Sequence, residues 1–173
     1  FKPDSSVLER IGVAEGEKYC VLRLISWDAN HDVGQKGLSH DDKVQLVKEL
    51  SSKCRVFISS EGELDDALKP YQLKIHPADL HSVLYYASLY VGEGGTTASE
   101  AVVLGTPAIY INTLDAGLFD EEQKRGLLFH LTHSDEILKT ANMVLKDESF
   151  RMAFKNNWEQ LHRDKIDATA FIS

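Results

Sequence analysis

Cysteine is scarce. Two thiols, Cys20 and Cys54, in 173 residues are too few for the disulfide framework of a small secreted domain, and no histidine spacing completes a zinc site around them. Each opens or adjoins a strand-like run, so both read as small buried hydrophobes. Also missing is any apolar run approaching the roughly 20 residues that span a bilayer, and no charged-then-apolar leader opens the chain. The expected location is the cytoplasm. Positive charge is in short supply, with 19 Lys and Arg against 27 Asp and Glu and a net charge of -8. This argues against a nucleic-acid backbone or an anionic membrane as main partner, because both are bound through basic surface. Low-complexity tracts are absent as well. With 43% hydrophobic and 27% charged residues, the composition is that of ordinary globular proteins, and a chain this long hides roughly two-thirds of its unfolded surface. It opens on Phe1 rather than Met and closes on a helical pattern that stops without a Gly or Pro signal. The expectation is one domain, 1–173, of a longer two-domain protein, with part of any active site elsewhere.

What is present is alternation. Residues 19–26, YCVLRLIS, are a mostly apolar, β-rich run, and a polar, glycine-containing loop follows over 27–37. Ser39 stands where a helix N-cap is needed, with Asp41 and Asp42 in the first turn and Val44, Leu46, Val47 and Leu50 on one face. The order repeats: a strand in RVFIS from Arg55, a short helix over 63–68, a brief strand over 73–75, a helix over 78–86 and a strand over 89–91. A compact helix over 97–104 then ends at Gly105 and Pro107. AIYIN at 108–112 and GLLFHL at 126–131 are further strands, Ser134 caps a helix through 145, and 150–161 is a terminal helix. Strands separated by helices imply right-handed crossovers and parallel pairing. The predicted fold is α/β, a Rossmann-like three-layer sandwich with a mostly parallel sheet of about six strands. Ligands of such sheets bind beyond the carboxyl ends of the strands, which singles out the loops after the first and fourth strands, 26–37 and 92–97.

The second of these opens GEGGTTASEAVVLGTP, residues 92–107. Gly92, Gly94 and Gly95 can take positive φ or admit a ligand close to the backbone, and the free amides of the helix that follows make an anion site. Thr96, Thr97 and Ser99 add hydroxyls. Glu100, three residues past Thr97, is either the return half of a capping box or an acceptor for a ribose diol. A plain turn and cap with no ligand is the alternative. The loop carries no lysine, which removes the usual P-loop triphosphate site and with it ATP hydrolysis. The first loop, RLISWDANHDVGQKG at 23–37, gathers Arg23, Trp27, Asp28, His31, Asp32 and Lys36. Together they offer a cation for phosphate, an aromatic face for a sugar or base, and an imidazole for proton transfer. The competing reading is a surface loop whose His and Asp pair with each other. No second His or Cys completes a metal spacing, so no metal is expected. Ser60, after the second strand, falls at the same ligand edge.

YYASLYVGEGGTTASEAVVLGTPAIYI, 85–111, resembles the donor-binding half of GT-B glycosyltransferases, among them the N-acetylglucosaminyl transferase of peptidoglycan synthesis. On a related fold it is similar to the non-hydrolysing UDP-N-acetylglucosamine 2-epimerases. PDSSVLERIGV, VLRLISWDANHDVGQKGLS, RVFISSEGEL and EAVVLGTPAIYIN resemble a GT-B-like prokaryotic group, domain-of-unknown-function family 354, over nearly the whole chain. The resemblance implies the C-terminal half of a GT-B fold. It implies a UDP-type nucleotide sugar, held as substrate with no further cofactor, between this domain and an N-terminal Rossmann-like domain. It also implies Glu100 as the ribose contact, Gly94, Gly95, Thr96 and Thr97 as the loop that meets the diphosphate, and Ile75 and His76 beside the base. With Arg23, Trp27 and Ser60 these form the expected binding set, and His31 with Asp32 are the candidate catalytic pair. Two departures stand out: Glu93 places a negative charge beside the phosphate site, and Ser88 replaces the usual aspartate. Two other readings remain open, a UDP-sugar 2-epimerase-like domain and a non-catalytic Rossmann-like scaffold. The second is favoured by Glu93 and by the lack of an arginine next to the glycine loop.

Overall fold

The computed structural model describes residues 1–25, 38–112 and 119–164. Strand β1 (Tyr19–Leu24) is buried along its first four residues, as a strand covered on both faces must be. It pairs in parallel with β2 (Arg55–Ser60) on one side and β3 (Leu89–Gly92) on the other, with Cys20 opposite Val56 and Leu89. β4 (Ala108–Tyr110) and β5 (Leu128–His130) extend the sheet, giving the order β2-β1-β3-β4-β5, parallel throughout. Neighbouring residues of β1 enter opposite cores, as the period of two requires. Tyr19 and Val21 pack in a cluster with Val83, Leu84, Ala98, Ala101 and Leu161, which brings in α1 (Ser6–Arg10), α3 (Leu80–Tyr86), α4 (Gly95–Val103) and α7 (Glu148–Asp164). Cys20 and Leu22 pack in the other cluster, with Leu46, Val47 and Leu50 of α2 (His40–Ser51) and Ile137 and Ala141 of α6 (Ser134–Lys146). The expected α/β sandwich is present, and no helix among the described residues is long and apolar enough to cross a membrane.

The sheet has five strands among the described residues rather than about six. Residues 73–75 do not form a strand: Gln72 makes one isolated parallel bridge to Ile58, and Leu73 N donates to Ile58 O at 2.8 Å. Two 3-10 turns, Lys69–Tyr71 and Pro77–Asp79, flank the segment and leave it no length to pair further. Nor do residues 63–68 form a helix, although Leu64 and Leu68 are both buried at helical spacing. Asp65 Oδ1 instead accepts from the amides of Ala67 and Leu68, at 2.9 and 3.1 Å, closing a local turn. The five-residue helices α1 and α5 (Asp120–Lys124) went unforeseen; both are too short to show a period.

Ser39 caps α2 as expected, its Oγ accepting from Asp42 N at 3.2 Å and donating to Asp42 Oδ2 at 2.6 Å. Ser39→Ala is expected to lower stability by about 1 kcal/mol, read as a fall in the urea midpoint with the slope unchanged. Ser134 is not a cap. His133 holds that position, and Ser134 Oγ donates to Asp42 Oδ1 at 3.1 Å, tying the start of α6 to the start of α2.

Candidate functional site

The strand order reverses between β1 and β3, so the chain leaves their carboxyl ends in different directions and a crevice opens there. The glycine loop lies on this crevice, after the third strand rather than the fourth. None of its glycines has positive φ; what it requires is close approach. A Cβ at Gly92 would stand 2.7 Å from Tyr90 Cζ and 3.0 Å from Arg23 O, and one at Gly95 would stand 2.8 Å from Phe119 Cζ. Gly94 has room, its nearest neighbour being Ile25 Cγ2 at 3.6 Å. Tyr90 is fully buried beneath the loop, where its hydroxyl donates to Gly94 O at 3.1 Å and burial pushes its phenol well above the ordinary value.

Helix α4 begins at Gly95, two residues earlier than expected, with Gly94 as N-cap and no side-chain cap. Thr97 and Glu100 therefore lie inside the helix and form no capping box. Ala98 N bonds back to Gly94 O at 3.1 Å, which leaves the amides of Gly95, Thr96 and Thr97 at the helix mouth without intrahelical acceptors. The Thr96 side chain is exposed, whereas that of Thr97 is buried beside the Tyr90 hydroxyl.

Glu93 is buried, only 1% exposed. Its Oε2 accepts from Ile25 N at 3.2 Å, and Oε1 lies 2.9 Å from Lys43 Nζ. That second contact has the distance of an ion pair without the angles of a hydrogen bond, since Oε1 has no hydrogen-bond partner. The charge anticipated beside the phosphate is thus neutralised inside the protein, where it links the ends of β1 and β3 to α2. The missing arginine is supplied from β1. Arg23 donates through Nη1 to Ser59 Oγ at 2.8 Å and through Nη2 to Glu61 Oε1 at 2.9 Å, and its Nε lies 3.8 Å from where a Cβ on Gly94 would be.

Along α4, a cavity of about 390 Å³ is lined by Phe1, His81, Thr96, Ser99, Glu100 and Val103 among others. Glu100 Oε2 faces His81 Nε2 at 3.5 Å across it. Ser60 borders a different cavity with Ile25, His40 and Lys43, and its Oγ accepts from Gly62 N at 3.3 Å. His76 caps the Pro77–Asp79 turn, its Nδ1 accepting from Ala78 N at 3.2 Å, and lines a third cavity with Arg10, Lys74 and Asp79. The structure therefore gathers Arg23 and Gly94 at the α4 mouth and Thr96 with Glu100 beside it, and puts His76 in a cavity that neither shares. Trp27, Asp28, His31, Asp32 and Lys36 lie outside the described residues. Lys43 escaped the sequence reading, and His81, which the sequence alone presents as a plain surface or cap histidine, lines the Glu100 cavity instead. Lys43 did leave a signal: it stands four residues before Val47 and seven before Leu50, on the buried stripe of α2.

A family model described as "Protein of unknown function (DUF354)" matches residues 1–166. No curated protein matches in sequence. Among solved structures, a UDP-N-acetylglucosamine 2-epimerase aligns with a TM-score of 0.60 at 14% identity, over 88% of this chain and 40% of that one. The glycosyltransferase VinC in complex with dTDP aligns with a TM-score of 0.60 at 18% identity, over 89% and 40%. MnaA of S. aureus, in a co-structure with UDP, aligns with a TM-score of 0.63 at 8% identity, over 87% and 42%. At such identities the likeness establishes the fold, a GT-B-like, Rossmann-like domain. The chain spans about two fifths of the length of these structures.

Proposed function

The chain belongs to the DUF354 family, and since that membership names no reaction, we propose from the geometry that it is the nucleotide-sugar donor-binding half of a GT-B-like glycosyltransferase acting on a UDP-type sugar. The observation that carries this reading is the mouth of α4 at the β1/β3 crevice. There the free amides of Gly95, Thr96 and Thr97 stand beside the Arg23 guanidinium, and the loop's own carboxylate is sequestered by Lys43. Amides, helix dipole and guanidinium stabilise the charge that develops on a departing nucleoside diphosphate. Glu100, half exposed beside His81, accepts from the ribose hydroxyls. Structures of like fold whose titles name UDP and dTDP support the ligand class. In this reading the protein is cytoplasmic, needs no cofactor or metal, and receives its acceptor site from an N-terminal Rossmann-like domain. His31 and Asp32 handle the proton.

Calorimetric titration with UDP, GDP, ADP, UDP-N-acetylglucosamine and inorganic diphosphate tests it. One nucleoside diphosphate is expected to bind, with Glu100→Ala weakening it by about 1–3 kcal/mol. Silence towards every nucleotide in a folded sample would decide for the scaffold.

A further inference from the structure

The two cysteines take no part in that site, yet they lie side by side at the other end of the sheet. Cys20 is fully buried in β1, and Cys54 is half-buried in the turn between α2 and β2, where the amides of Lys53 and Cys54 both donate to Leu50 O at 2.9 and 3.0 Å. Their sulfurs are 3.5 Å apart, within reach of a thiol–thiol hydrogen bond. The sequence holds no other cysteine. Cys54 is also on the wall of a cavity of about 580 Å³ along the β2 edge, whose lining includes Arg10, Arg55, Lys69 and Lys74 and no carboxylate. Arg10 pairs with Asp4 and Asp79, Arg55 with Glu17 and Lys69 with Asp66, all four carboxylates outside that wall, and Lys74 has no ion-pair partner among the described residues. In a chain of net charge -8, such a wall selects anions.

We propose that Cys54 exchanges with an anionic low-molecular-weight disulfide, represented by glutathione disulfide, and that Cys20 resolves the product into a Cys20–Cys54 disulfide. The Cys54 thiolate attacks one sulfur of the small disulfide; the new S–S bond forms as the old one breaks, and one small thiolate leaves. Cys20 then loses its proton, attacks Cys54 Sγ and expels the second small thiolate. Two protein thiols are oxidised, one small disulfide is reduced to two thiols, and the two cysteine protons pass to the leaving groups.

The surroundings suit these roles. Hydrogen bonding from Cys20 holds the Cys54 thiol below its ordinary value, with Lys53 and Lys18 adding positive charge, so the less buried of the two thiols is the better nucleophile. Cys20 is pushed well up by its hydrogen bond with Cys54 and by burial, and stays a thiol until Cys54 is no longer an anion beside it. Closure brings the sulfurs from 3.5 Å to about 2.05 Å. Pairing of β1 with β2 starts at Tyr19 and Arg55, so Cys54 moves with its turn and the ladder stays intact.

The experiment incubates the chain with glutathione disulfide, or with the neutral disulfide of 2-mercaptoethanol, and follows thiol content and intact mass. The wild type is expected to lose both thiols and two hydrogens while retaining no glutathione. Cys20→Ala is expected to stop with one glutathionyl group, Cys54→Ala to keep Cys20 free, and the neutral disulfide to react several-fold more slowly. Peptide mapping of wild type quenched at early times finds the first glutathionyl group on Cys54 without relying on a variant that folds. A wild type that stops at the mixed disulfide, first modification at Cys20, equal rates with the neutral disulfide, or no reaction each overturns the proposal.

Discussion

Lys43→Met is expected to destabilise the fold by about 3–5 kcal/mol, the cost of leaving a buried charge without its partner, and to do so by more than Glu93→Gln. The two members of the pair are not equivalent. Glu93 is 1% exposed and cannot reach water, whereas the Lys43 side chain is 16% exposed. Removing the lysine strands an anion; removing the anion leaves a cation that can turn to solvent. Gln also keeps an oxygen for the Ile25 amide, now 3.2 Å from Glu93 Oε2. Urea unfolding of both variants gives the comparison. Equal losses, or a larger loss for Glu93→Gln, would mean that the stranded carboxylate is not the dominant cost of breaking the pair.

The second large effect is steric. Gly92→Ala is expected to cost about 2–3 kcal/mol, at the upper end of overpacking penalties. The added methyl meets the buried Tyr90 ring at 2.7 Å and Arg23 O at 3.0 Å, and neither a fully buried ring nor the β1 backbone can give way cheaply. Gly94→Ala, two residues on, meets nothing nearer than 3.6 Å and is expected to stay within about 0.5 kcal/mol of wild type. Thermal or urea unfolding of the pair reads the contrast directly. If the two variants lose the same stability, flexibility of the loop and not close approach explains its glycines.

The alternation of β-rich runs with amphipathic helices was enough to place the five strands of the described residues, because each buried strand is a short apolar run with turn residues at its ends. The expected strand over 73–75 was not there because a 3-10 turn on either side of that stretch leaves only a single bridge at Gln72 and a bond from Leu73, a limit that no local pattern reveals. The glycine loop was legible as a tight turn opening a helix at the ligand edge of the sheet, but its electrostatics were not. Glu93 reads in sequence as an obstacle, and only the packing of α2 against the strand ends shows Lys43 neutralising it. The arginine that seemed missing lies 71 residues before Gly94 in the chain and beside it in space. Proximity made by parallel pairing leaves no mark on local sequence. His76 shows the converse: the resemblance put it at the base, whereas its cavity is shared with Arg10, Lys74 and Asp79 and not with Glu100.

The bond from Leu73 to Ile58 has a consequence for self-association. β2 is an outermost strand, and an outermost strand is a template on which another molecule can lay its own backbone. Here the carbonyl of Ile58, in the middle of that strand, is already taken by the chain's own residue 73, and Gln72 occupies the lane beside it. A second copy that tried to extend the sheet in register would have to peel this segment away first, so the fold guards its open flank against polymerisation with two residues of its own backbone.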